Sequence, residues 1–414
     1  MVEYRKESLP KKSTAMKILS AYGGGVSQIA EGVEYTAFGR DREVSRFDQT
    51  LKMTSQGSGR MEAYVGPYGI GKSFLLALFQ NLSIKKGFVV MTADISRERF
   101  FAGAQYEKQG LNLYRELIKN TAIKGKTKGA FDLILTKWYE DLRNETMGDL
   151  YAILAELDRR INVYKDLTMY DDIRMAIRQR FREIHSDASH SDAMSFFMAN
   201  LSKKTDAQQI GAKGYIREGG WFDVLDTYSH FFVAAGYKGL IVMFDQADYL
   251  LNLPKTSRQQ NYETLLTMWN SVNEGRTEYL SVCLFAADKL LDDEKKGLPM
   301  YKAIEDRMRN ATRLSKLPDE QLVVLLGKLR DIHEYAYSWE SDISDAAVEE
   351  FIQKSVSSVG INEMIIRPIC MEWIKYLDDL NAGISGDISV YASNVVDDLE
   401  EDKEETHILE FPDE

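Results

Sequence analysis

The ten residues Tyr64–Ser73, YVGPYGIGKS, set the architecture of this chain, because Gly66 to Ser73 fit the pattern G-x-x-x-x-G-K-[ST] of a phosphate-binding loop. A backbone that turns its N–H groups inward around a polyphosphate needs positions without a Cβ, and Gly66, Gly69 and Gly71 supply them. Pro67, Tyr68 and Ile70 complete the loop, and Phe74 follows it. Lys72 would reach the β- and γ-phosphates as a point charge, and the Ser73 hydroxyl would hold Mg²⁺. The motif carries weight only if a strand enters it and a helix leaves it. Met61 to Val65 is short and apolar, and Ser73 to Leu82 has helical spacing, so a helix N-terminus adds its partial positive charge to the phosphate site. A nucleotide is the expected ligand.

Such a loop needs a carboxylate from another strand to organise Mg²⁺. Leu240 to Phe244 is a continuous apolar run ending in Asp245, the pattern of a parallel strand buried on both faces. Asp245 is therefore expected to orient the metal together with Ser73. In ATPases of this general design the next residue is usually the glutamate that polarises the attacking water, whereas here it is Gln246. An amide can hold a water but cannot accept its proton at neutral pH. Nucleotide binding should survive while hydrolysis slows. Three explanations stay open: adaptation to a switch that rests with ATP bound, a substitute base such as Asp248, or a glutamate-to-glutamine change made to trap ATP. Two further apolar runs, Phe88 to Ala93 before Asp94 and Tyr279 to Ala287 before Asp288, complete a set of strands separated by helical segments. Asp288 is a weak candidate for a place near the γ-phosphate. Together the runs imply an α/β fold with a parallel sheet and crossover helices.

Composition bounds the partners. Hydrophobic residues make up 44% and charged residues 28%, as in an ordinary soluble protein, so a cytoplasmic location is expected and a membrane role is not. Cys283 and Cys370 lie in apolar surroundings and read as core thiols. His185 and His190 flank DASHSD, which reads as an exposed loop without zinc-ligand spacing. The net charge is −12, but residues 387–414 carry eleven acidic groups against the single base Lys403, leaving the rest of the chain near −2. A local basic surface is thus compatible with the composition. The tail itself reads as a solvated, disordered end, with HILEFPDE as an alternative docking peptide.

With these motifs in place, the chain resembles the ATP-binding proteins of bacterial BREX-type phage-exclusion systems. The resemblance runs through VEYTAFGRDREVSRF, GPYGIGKSFLL, GFVVMTADISRERF, GLNLYRELIKN, AAGYKGLIVMFDQADYLL and LFAADKLLDDEKKGLPMYKAIEDRM, which is nearly the whole chain apart from the acidic tail. It implies a P-loop NTPase core of AAA+ or STAND-like type, acting as an ATPase or molecular switch in anti-phage defence. It further implies homo-oligomers, defence-system partner proteins, and duplex DNA as a candidate partner. Two departures stand out: Asp245-Gln246 replaces the family's Asp-Glu pair, and Ala287-Asp288-Lys289 stands where a Gly-Thr-Pro turn is common. Arg367 precedes a helix in RPICMEWIKYLDDL as a second sensor arginine would, and Pro368 suits that helix's first turn.

The expected organisation is an N-terminal arm over 1–35, an ATPase core over 36–315 with a mainly helical insertion over about 103–222, a C-terminal helical lid or winged-helix-like domain over 316–386, and the acidic tail. Phe38, Gly39 and Arg40 are candidates to close over the adenine. In the insertion, Arg174, Arg178, Arg180 and Arg182 form a basic row that could grip phosphates, against a plainer reading as a solvated face paired with Asp171, Asp172 and Glu183. Arg307, Arg309 and Arg313 are candidate arginine fingers for a neighbouring subunit. Beside the switch reading stand a non-hydrolysing scaffold clamped by ATP and a DNA-remodelling or loader ATPase.

Overall fold

A computed structural model describes residues 9–25, 31–103, 108–359, 366–384 and 386–395. Of the acidic tail 387–414, residues from 396 onward lie outside the described residues, whereas 387–395 are described and bury Tyr391, Ala392 and Val395, so that part is packed and not a solvated end. Five strands form the sheet: β1 (Met61–Val65), β2 (Val89–Asp94), β3 (Leu240–Asp245), β4 (Leu280–Ala286) and β5 (Thr312–Arg313), in the order β2-β3-β4-β1-β5. The pairs β2–β3, β3–β4 and β1–β5 are parallel. Every residue of β1, β3 and β4 is buried, as expected of parallel strands covered by crossover helices. Four of the strands stand where the apolar runs place them. The fifth, β5, has only two residues, neither of them apolar, and its sequence gives no strand signal.

The chain divides into two compact units, and the division falls within β1. The first comprises residues 1–47, 64–82 and 312–414. In it, the helix Lys12–Gly23 buries Ala15, Ile18 and Leu19 and packs on the helices Asp319–Tyr337 and Ile366–Asn381. Trp373 is fully buried there, its indole N–H donating to the Leu326 carbonyl at 3.0 Å. The helix that leaves the loop, Lys72–Lys85, contributes Phe79, whose ring stacks on Phe47 at 3.9 Å and meets Tyr64 edge-on.

The second unit, residues 48–63 and 83–311, carries β2, β3, β4 and the helices between β2 and β3. The helices Phe131–Glu145, Leu150–Ile161 and Tyr170–His185 pack on one another, and Trp221–Ala234 is buried along most of its length. Here three of the four arginines of the row, Arg174, Arg178 and Arg180, are paired with carboxylates, while Arg182 is half-buried. Arg174 and Arg178 share Asp158 at 3.2 and 2.5 Å, and Arg180 forks onto Asp132 at 2.7 and 3.0 Å. Of the carboxylates read as partners, Asp171 lies 3.5 Å from Arg174 and the buried Glu183 3.5 Å from Arg180 while also accepting the Asp192 and Ala193 N–H groups, and only Asp172 turns elsewhere, to the Lys213 and Gly214 N–H groups. The row is largely a packed face rather than an open cationic groove. His185 ends its helix with its Nδ1 2.8 Å from the Tyr139 hydroxyl, and residues 185–190 are exposed, as DASHSD suggests. Among the described residues no helix is long and apolar enough to cross a membrane.

Asp226, in the helix Trp221–Ala234, supplies a pH test of this packing. Burial pushes its carboxyl up to about 6, against the opposing charge of His230 and an N–H bond from Glu278. A folded value above the unfolded one penalises the native state only where the unfolded carboxyl is ionised. The penalty is absent below about pH 4, grows between about pH 4 and 6, and is complete above that. Asp226→Asn keeps an acceptor oxygen and should stabilise the protein by about 2 kcal/mol near pH 8 and by nothing near pH 4. Thermal melts at both pH values check this, and an equal gain at both would refute it.

Candidate functional site

The first cluster is the phosphate loop and what holds it. β1 delivers the chain to Gly66, and the loop closes into the helix Lys72–Lys85. Gly69 and Gly71 have φ of 75° and 96°, the left-handed region in which a side chain is strained, which is why glycine stands at both. Lys72 Nζ reaches back across the loop to the carbonyls of Gly66 and Pro67, at 2.8 Å each. Ser73 and Phe74 occupy the first turn of the helix and are half-buried, while Pro67 and Tyr68 are exposed. The glycine-rich loop thus runs directly from a buried strand into a helix N-terminus.

Arg40 is built into this cluster more deeply than its sequence context suggests. It is 3% exposed, and its guanidinium forks between two backbone carbonyls, Ile70 in the loop at 2.6 Å and Ser315 after β5 at 3.0 Å. Burial lowers its pKa from the ordinary arginine value, with the Glu43 charge opposing. Both donor edges therefore serve the fold. Gly39, at φ 65°, has no room for a Cβ beside Leu317 and Gln321, and Phe38 is buried. Arg367, at the start of the helix Ile366–Asn381, donates from a guanidinium nitrogen to the Tyr68 hydroxyl at 3.1 Å. Two residues 299 apart in sequence are thus brought together at the loop.

The second cluster is the carboxylate end of β3. Asp245 is buried, and its Oδ1 accepts the Gln246 N–H at 2.9 Å. Gln246 is exposed and left-handed, at φ 57°, which turns the chain sharply away from the strand. Asp248 Oδ1 accepts the Ala287 N–H at 2.7 Å and so ties the turn after β3 to the end of β4. Asp94 lies in register beside Asp245 on β2, its carboxyl raised by burial and lowered in part by Arg99. Sequence reading took Asp94 only as the end of a strand, although FVVMTAD repeats the apolar-run-then-Asp pattern of β3. Asp288 follows β4, and Arg307 and Arg309 are exposed near the helix Lys302–Met308. Arg307 donates to Asn270 Oδ1 at 3.0 Å and Arg309 is paired with Asp306. Arg313 lies in β5.

No curated protein matches the chain. A protein-family comparison does, over residues 10–387, to the family described as BREX system ATP-binding protein BrxC/D. The match bears out the resemblance carried by the linked motifs and covers both clusters. This chain belongs to the BrxC/D family of BREX system ATP-binding proteins.

Proposed function

We propose that the chain is an AAA+-like, STAND-related P-loop switch that binds ATP with Mg²⁺ and works in the cytoplasm with partner proteins of its defence system. The observation that carries this reading is the loop Gly66–Ser73, left-handed at Gly69 and Gly71, between a buried strand and a helix N-terminus. Ligands of open α/β sheets sit beyond the carboxyl ends of strands where the strand order reverses, and β1, between β4 and β5, is such a strand. In this reading the loop N–H groups and Lys72 hold the phosphates, Ser73 is a metal ligand of the first unit, and Phe38 and Gly39 stand towards the base, while Asp245 is the second unit's candidate metal carboxylate. Arg40 keeps the loop in shape. Arg367 carries the state of the loop to the C-terminal helices through Tyr68. Arg307 and Arg309 would act on a neighbouring copy in a homo-oligomer.

Lys72→Ala should weaken ATP binding about 10- to 150-fold, the worth of one charge-assisted bond. Calorimetric titration with Mg-ATP measures it, and an unchanged affinity would remove the phosphate loop from the reading. Gln246 favours a second reading, in which ATP clamps a scaffold and is not hydrolysed, because the amide lacks a basic site.

A further inference from the structure

Between Lys119 and Ala130 the chain reads KNTAIKGKTKGA, with four lysines and no acidic residue. Most basic stretches of this kind are solvated and neutralised by nearby carboxylates, and the arginine row of the same unit is. This one differs because its flanking acids are already taken. Glu116 pairs with Arg99 at 3.3 Å and accepts from Asn120, and Asp132 is forked by Arg180. Lys119, Lys124, Lys126 and Lys128 are exposed, and none has an ion-pair partner among the described residues. Lys128 comes near enough to Asp94 to favour that carboxylate, without pairing with it.

The segment is also held firmly. Ala122 exchanges both backbone bonds with Val90 at the β2 edge of the sheet, at 2.8 and 3.0 Å. Ile123 and Lys126 exchange theirs at 2.9 and 3.0 Å, closing a tight hairpin over Lys124 and Gly125. The Gly129 and Ala130 N–H groups donate to the Lys119 and Thr121 carbonyls, and Thr121, Ala122, Ile123 and Ala130 are buried anchors. Fixing like charges on a rigid tip costs self-repulsion and returns nothing to the fold unless an anion meets them.

We infer that the lysine hairpin Lys124–Lys128, with Lys119, is a docking surface for the phosphate backbone of duplex DNA, read without regard to sequence. Lysine is a compact point charge that grips phosphate but lacks the planar fork that reads guanine bidentately. The segment offers no aromatic side chain for the bases of a single strand to stack on, and no apolar wedge to enter a bilayer. Outside the acidic residues 387–414 the chain is near neutral, so a local cluster of uncompensated lysines sets where contact is made. The inference is independent of the nucleotide reading, because it concerns a different surface and is tested without ATP.

The test is fluorescence anisotropy of the full chain with labelled duplex DNA over a salt series and without nucleotide, using single-stranded DNA and anionic vesicles as further arms. Changing Lys124, Lys126 and Lys128 together to Gln should weaken duplex binding at least about tenfold. It should also flatten the slope of log K against log salt by about 3, near 0.9 for each lost phosphate contact. The matching triple change to Arg keeps the charge and should keep both affinity and slope. Circular dichroism melts should coincide for all three proteins. No duplex binding by the unaltered chain would overturn the inference, as would a glutamine variant with unchanged affinity and slope, or an arginine variant that loses as much as the glutamine one. Equal dependence of vesicle or single-strand binding on the same lysines would overturn the assignment to duplex DNA.

Discussion

Gln246→Glu is expected to raise ATP turnover by about two to four orders of magnitude, the usual worth of a positioned general base. The exchange is isosteric, so the left-handed backbone at φ 57° costs both residues alike. The N–H bond from position 246 to Asp245 Oδ1 is a backbone bond and survives the change. What changes is a basic oxygen on an exposed side chain next to the buried Asp245. The rise should fall on kcat while KM for ATP stays put, because the base acts on water and not on the nucleotide. Asp248 is the rival base, but one of its oxygens is committed to the Ala287 N–H, and its loss would untie the turn from β4. Steady-state phosphate release, measured with and without duplex DNA, decides. If the glutamate form turns over no faster than the unaltered chain under any condition, the hydrolytic switch gives way to the ATP-clamped scaffold.

Arg40→Met should lower stability by about 3 to 5 kcal/mol and loosen the phosphate loop. Methionine fills much of the volume but leaves the Ile70 and Ser315 carbonyls without donors, and each buried unsatisfied group costs about 1 to 3 kcal/mol. At about 1 °C per kcal/mol for a chain of this size, the melting temperature should fall by roughly 5 °C. ATP affinity should fall as well, since the Ile70 carbonyl lies within the loop that Arg40 braces. Lysine at position 40 can satisfy one carbonyl but not the fork, so Arg40→Lys should lie between the two. An Arg40→Met variant that melts within a degree or two of the unaltered chain, or melts low with ATP affinity intact, would deny Arg40 its bracing role.

The readings that came from sequence share one property: their signals are local. The phosphate loop is a run of eight residues whose glycines announce their backbone, and β1, β3 and β4 are apolar runs with no competing helical period. Asp245 followed by Gln246 needs no partner to be read. Family membership followed from the same linked segments.

Tertiary structure alone decided what depends on distant pairings. β5 is two polar residues made a strand by Tyr64 and Val65. The N-terminal helix Lys12–Gly23 has its place against helices some three hundred residues later, because its apolar stripe can be covered from either end of the chain. Arg40 reads as a candidate to close over the adenine, and its bracing of the Ile70 and Ser315 carbonyls shows only in the fold. The two basic segments show the point most plainly. In sequence the arginine row is the candidate for phosphate, and the lysine run passes unmarked within an insertion that reads as mainly helical. Folding brings Asp158 and Asp132 to the arginines and takes Glu116 and Asp132 from the lysines. Sequence fixes how many charges a segment carries, but which of them stay uncompensated is set by the carboxylates that the fold brings within ion-pair reach.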